Sequence, residues 1–162
     1  MSPQDYFDKL FNKVSTIDNT PYCCIPAAIK FRTETCGGEA NIREYCFSLA
    51  REGARRMAEI LGTDYLQAEP SCCFATVRLP LAHAELGSDT NGRALAKWMQ
   101  ELTPAEYETY IPIKFYDGAF WCRISAQIYL ALEDFEWATV TILEICQRMK
   151  TGEWKNKWPK VA

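Results

Sequence analysis

Between Glu39 and Leu61 the apolar or small residues recur three and four positions apart: Ile42, Tyr45, Cys46, Leu49, Ala50, Gly53, Met57, Ile60 and Leu61. That spacing lines one face of an α-helix, and Arg43, Glu44, Arg51, Glu52, Arg55 and Glu59 fill the other side. Gly62 follows as a natural terminator. Upstream, Asp5 to Lys13 is a short amphipathic segment with Tyr6, Phe7, Leu10 and Phe11 on one side. A polar, turn-rich stretch runs from Val14 to Pro21, and Pro21 can open the next helix because a first-turn position needs no N–H donor. Tyr22 to Thr33 reads as that helix, broken by Gly37-Gly38.

Downstream the pattern changes period. Ser71 to Leu79 reads as a strand rich in β-formers, opened by the Cys72-Cys73 pair. His83 to Arg93 reads as a loop, Arg93 to Leu102 as a helix, and Pro104 to Tyr107 as a turn. Pro112–Tyr116 and Phe120–Ser125 read as two strands, and the Asp117-Gly118 between them is a strong hairpin signal. Asp134 is placed to cap a last helix, Phe135–Lys150, and a polar tail follows from Gly152. Strands with helices to one side predict an α+β fold: a small antiparallel sheet of about three strands covered by helices. The expected organisation is an N-terminal segment and polar turn over 1–21, one domain over 22–151, and a tail over 152–162.

Composition narrows the function classes. With 162 residues, 48% hydrophobic and 24% charged, the chain can build a real core. A net charge of −3 offers no basic excess for nucleic acid or an anionic membrane. No apolar run approaches the ~20 residues of a membrane span, and the first residues lack a secretory pattern, so a cytoplasmic location is expected. The eight cysteines form no C-x-x-C, and the single histidine, His83, has no cysteine at zinc-finger spacing. They read as reduced, mostly buried small hydrophobes, and no metal site is expected.

Arg123 is the residue whose placement asks for chemistry. It interrupts an apolar strand, Phe120-Trp121-Cys122-Arg123-Ile124-Ser125, and a guanidinium there needs a partner. One reading is an internal salt bridge or an exposed strand edge. The other is a two-pronged seat for a substrate carboxylate. His83 reads as a structural or solvent-exposed loop histidine. Trp98, Trp121 and Trp137 read as core packing, with stacking on a ring cofactor as the alternative.

Several blocks, in order, resemble the C-terminal part of fungal class V aminotransferase-type proteins, relatives of isopenicillin-N epimerase and of cysteine-sulfoxide lyases. They are residues 15–22 (STIDNTPY), 25–32 (IPAAIKFR), 36–39 (CGGE), 58–63 (AEILGT), 73–80 (CFATVRLP) and the Arg123 strand. The resemblance runs from about Leu10 to about Glu153. It implies the small domain of the aspartate-aminotransferase-like (type I) fold of enzymes that use pyridoxal 5′-phosphate (PLP). It implies that Arg123 binds the α-carboxylate of an amino-acid or peptide substrate, and that Thr16 reaches the PLP phosphate of a neighbouring subunit. In that family the Schiff-base lysine and the acid that faces the pyridine nitrogen lie in a large domain upstream. None of Lys9, Lys13, Lys30, Lys97 and Lys114 sits in the family's lysine motif. The resemblance therefore implies a partial enzyme, plausibly of fungal secondary metabolism, that does not bind PLP alone and holds no catalytic residue of its own. It would work as a homodimer or with a large-domain partner. A non-catalytic interaction module and a decayed copy are the other readings.

Overall fold

The computed structural model describes residues 20–66, 71–87 and 90–156. Thr16, the Asp5–Lys13 segment and the end of the polar tail lie outside the described residues. The described residues fall into two compact units divided between Asn41 and Ile42.

In the first unit the expected helix is present but interrupted. Helix α1 (Thr20–Cys23) gives way to α2 (Ile25–Lys30), which runs into a π-turn over Phe31–Thr35. Pro26 explains the break: it has no N–H to donate and its ring crowds the preceding turn. No residue of α1, α2 or the π-turn is buried. Gly37 and Gly38 end the run with φ of 73° and 92°, values that an L side chain resists.

The second unit holds the sheet. Helix α3 (Glu39–Leu61) buries Ile42, Cys46, Leu49, Ala50, Gly53, Met57 and Leu61, close to the stripe read from the sequence. The sheet has four strands, one more than the three expected: β1 (Tyr65–Leu66), β2 (Phe74–Ala82), β3 (Ile113–Tyr116) and β4 (Ala119–Ser125), in the order β1-β2-β4-β3 and all antiparallel. The added strand, β1, has two residues, too few to show an alternation. It is held where the Arg78 N–H donates to the Asp64 carbonyl at 2.9 Å and the Thr63 hydroxyl donates to the Arg78 carbonyl at 2.7 Å.

Two boundaries also differ from expectation. Strand β2 begins at Phe74, so the Cys72-Cys73 pair precedes it. Helix α4 (Gly92–Glu106) continues through Pro104 instead of stopping at Leu102. Pro104 cannot donate to the Gln100 carbonyl, and the Thr103 hydroxyl does so instead at 2.8 Å. Helix α5 (Leu132–Lys150) starts three residues before Phe135. Asp134 is therefore inside the first turn, where its carboxylate accepts the Ala131 N–H at 2.8 Å.

Alternation along the strands separates two faces. Ala75, Val77, Leu79 and Leu81 of β2, with Phe120, Cys122 and Ile124 of β4, point into the core. Helix α4 packs along β3 and α5 along β2. Helices α3 and α5 meet at Gly53 and Phe135, with Arg56 reaching Glu136 at 2.6 Å, and further along α3 the Tyr45 hydroxyl donates to the Leu130 carbonyl at 2.6 Å just before α5. At the far end of α5, Arg148 joins Glu106 at 2.8 Å and Glu153 at 2.7 Å, and the Glu153 carboxylate is the main reason its guanidinium is held above the ordinary arginine value. That clamp fixes the turn after α5 to the end of α4.

The cysteines divide differently from expectation. Cys46, Cys122 and Cys146 are buried, Cys36, Cys72 and Cys73 are half-buried, and Cys23, at the end of α1, and Cys24, between α1 and α2, are exposed beside helices with no buried face. All eight are free thiols. Burial pushes Cys122 and Cys146 up from the ordinary 9.0 to about 12. The folded state thus favours the neutral thiol, and its advantage is complete below the unfolded thiol value. We expect folding stability to fall as pH rises through the window from about 9 to about 12, as followed by urea unfolding at successive pH values. In the native chain Cys23 and Cys24 should react quickly with an aromatic disulfide, and Cys122 and Cys146 only on unfolding.

Candidate functional site

The other face of the sheet is open. Trp121, Arg123 and Ser125 alternate outward from β4, as Phe74, Thr76 and Arg78 do from β2 and Lys114 and Tyr116 from β3. Every charged side chain that these strands place on it is a cation: Arg78, Lys114 and Arg123.

Arg123 belongs to a central strand, because β4 lies between β2 and β3. Its N–H donates to the Pro112 carbonyl at 3.0 Å, and its Cα pairs with Thr76. The side chain turns toward Phe74, which is opposite Ser125, and the guanidinium carbon stands 5.2 Å over the Phe74 ring centroid. Among the described residues no carboxylate forms an ion pair with Arg123. The reading of an internal salt bridge therefore fails, and so does that of a strand edge. An arginine placed over a ring by a cation–π contact can still offer its N–H donors to a two-pronged acceptor. Close by, Tyr110, Pro112, Leu130 and Trp137 line a cavity of about 330 Å³ with Arg123 in its wall.

The remaining candidates are accounted for structurally. His83 stands at the start of a 3-10 turn, His83–Leu86, and its Nε2 is 2.9 Å from the Thr90 carbonyl. A carbonyl only accepts, so that nitrogen carries the proton and cannot serve as a base. The ring packs on Phe115 with centroids 4.8 Å apart. Of the three tryptophans, only Trp98 is core. Trp121 is half-buried, donating from Nε1 to the Tyr116 carbonyl at 3.3 Å, and Trp137 is 51% exposed. Among the described residues no group of three or more His, Cys, Asp or Glu could hold a metal. No described helix is long and apolar enough to cross a membrane.

The implied PLP can be tested against the lysines. Lys30 bridges Glu34 at 3.8 Å, Lys97 bridges Glu101 at 3.5 Å and Lys150 bridges Glu85 at 3.5 Å. Lys114 is exposed, and Lys155 lies over the Trp154 ring. None is buried beside an acid that could face a pyridine nitrogen, so the described residues do not fit a Schiff-base site. Lys9, Lys13, Lys157 and Lys160 lie outside them.

What sequence reasoning missed is Phe74, the ring under Arg123, and the grouping of Arg78 and Lys114 on the same face. The alternation of each strand was visible. Which residues it sets side by side depends on the β2–β4 pairing, which joins segments far apart in the chain.

No protein-family model matches the chain. Three curated relatives do. The L-cysteine desulfhydrase-like protein lolT1 of Epichloe uncinata is 37% identical, covering 91% of this chain and 37% of its own length. The L-cysteine desulfhydrase-like protein lolT2 of the same organism is 40% identical, covering 91% and 36%. The hercynylcysteine sulfoxide lyase of Schizosaccharomyces pombe is 27% identical, covering 80% and 30%. The chain thus spans between 30% and 37% of the length of these relatives, and over that span it is similar to two L-cysteine desulfhydrase-like proteins and a hercynylcysteine sulfoxide lyase.

Proposed function

We propose that residues 22–151 are the small domain of a class V aminotransferase-type PLP enzyme, and that Arg123 seats the α-carboxylate of its amino-acid substrate. The relatives' names point to cysteine or an S-substituted cysteine as that substrate, and to carbon–sulfur bond cleavage as the reaction. The observation that carries the reading is the Arg123 guanidinium: exposed, without an ion pair among the described residues, and held 5.2 Å over the Phe74 ring centroid. A carboxylate fits such a fork with two parallel N–H···O bonds. Binding it there would fix one end of the substrate and leave the reacting bond to groups outside this unit. In this reading Thr16 approaches the cofactor phosphate in a dimer, and the Schiff-base lysine belongs to a large domain that the described residues do not contain.

A covalent test separates this reading from that of a self-sufficient enzyme. The purified chain, incubated with PLP and reduced with borohydride, is expected to show no single lysine stoichiometrically carrying a phosphopyridoxyl group by peptide mass spectrometry. One lysine fully labelled, and protected by substrate, would sink the claim that the cofactor lysine comes from elsewhere.

A further inference from the structure

The open sheet face carries more positive charge than one α-carboxylate needs. Trp121 stands at its centre: Arg78 is its partner across β2, Lys114 is its partner across β3, and Arg123 is the next outward residue along β4. Among the described residues no carboxylate pairs with any of these three cations. Asp64, Glu85 and Asp117 line cavities that also include Arg78, and none of them forms an ion pair with it. Like charges grouped on one face repel one another, in a chain whose overall charge is −3. An anion on the face removes that repulsion.

The geometry indicates the spacing of that anion's charges. Arg123 leans onto Phe74, and Arg78 lies four residues further along the same outward row of β2, about 13 Å of strand at its usual rise. Leu66, Thr76, Arg78, Tyr116 and Trp121 line a cavity of about 570 Å³ on this side of the sheet. We propose that Arg78 is a second anion seat on the open sheet face, so that the ligand is an S-substituted cysteine with an acid group on its sulfur substituent, the α-carboxylate at Arg123 and the distal acid at Arg78. Such a molecule has about dipeptide length, and the reach of the Arg78 side chain back along the row closes the rest of the span. The inference rests on the Arg123 reading and adds to it a determinant of substrate choice.

The test is an NMR titration of the full chain, following the Trp121 indole N–H, with S-(3-carboxypropyl)-L-cysteine and its neutral analogue S-butyl-L-cysteine. The di-acid is expected to bind about tenfold more tightly, the worth of one exposed charge-assisted contact. Arg78→Gln should abolish that ratio and leave S-butyl-L-cysteine unchanged, whereas Lys114→Gln should leave most of it. A ratio that survives Arg78→Gln, or that falls equally in Lys114→Gln, overturns the second seat. Loss of the ratio in Arg78→Gln with no weakening of either probe in Arg123→Gln would leave Arg78 standing and overturn the α-carboxylate reading. Binding of neither probe overturns both.

Discussion

Arg123→Gln weakens binding of S-methyl-L-cysteine to the chain by about tenfold while leaving the unfolding midpoint where it was. A hydrogen bond to a charged group contributes about 1.5–3 kcal/mol. The lower end applies because Arg123 is exposed and water screens its charge. Arg123→Lys keeps the charge and loses the planar fork, so it recovers only part of the affinity. Phe74→Ala removes a ring–guanidinium contact worth about 0.5–1 kcal/mol at an exposed site, a two- to fivefold loss. The comparison ligand is the methyl ester of the same amino acid, which has no carboxylate. If the ester loses as much affinity as the acid in Arg123→Gln, Arg123 does not read the carboxylate. The fold is untouched in this prediction because Arg123 is exposed and leaves no carboxylate unpaired among the described residues.

What could be read from the chain follows the range over which each feature is determined. Asp117-Gly118 was legible because a two-residue hairpin loop needs left-handed backbone at both positions, and the two residues have φ of 48° and 71°. The buried stripe of α3 was legible because one helix face repeats within the segment itself. The first helix was legible in extent, and its interruption followed from Pro26, whose missing donor is a local matter. Strand β1 was not legible, since two residues have no period and its existence comes from what pairs with it. Arg123 was legible as a residue type on a strand. That it meets no acid partner among the described residues was not, because that depends on Thr76 being its neighbour across the sheet and Phe74 lying beside it. The cysteines went partly astray for a related reason. A small apolar side chain predicts burial only where its segment has a buried face, and neither α1, which ends at Cys23, nor α2, which follows Cys24, has one. The PLP reading rests on ordered blocks of similarity and not on any local geometry of the lysines.

Gly53→Val should cost about 2 kcal/mol of folding stability. A Cβ built at Gly53 lies 2.8 Å from Phe135 Cδ2 and 3.0 Å from Cγ, so even the first carbon of a side chain overlaps the ring. Phe135 is 5% exposed and seated under α3, with no solvent to swing into. Overpacking of this kind costs about 1–3 kcal/mol, and a branched side chain belongs at the upper end. The usual gain of about 0.5–1 kcal/mol for replacing a mid-helix glycine offsets only part of it. Phe135→Ala alone should cost about 3–5 kcal/mol through the cavity it leaves. In the double variant the valine fills part of that cavity, so its loss should be at least 1 kcal/mol smaller than the sum of the two single losses. Urea unfolding of the three variants measures all of these terms. Strict additivity would mean that α3 and α5 do not cross at this pair. The crossing matters to the site because α5 packs along β2, which carries Phe74 and pairs with the strand of Arg123. Gly53→Val should therefore also broaden the Trp121 indole resonance before the chain unfolds, as the helix layer loosens beneath the open face.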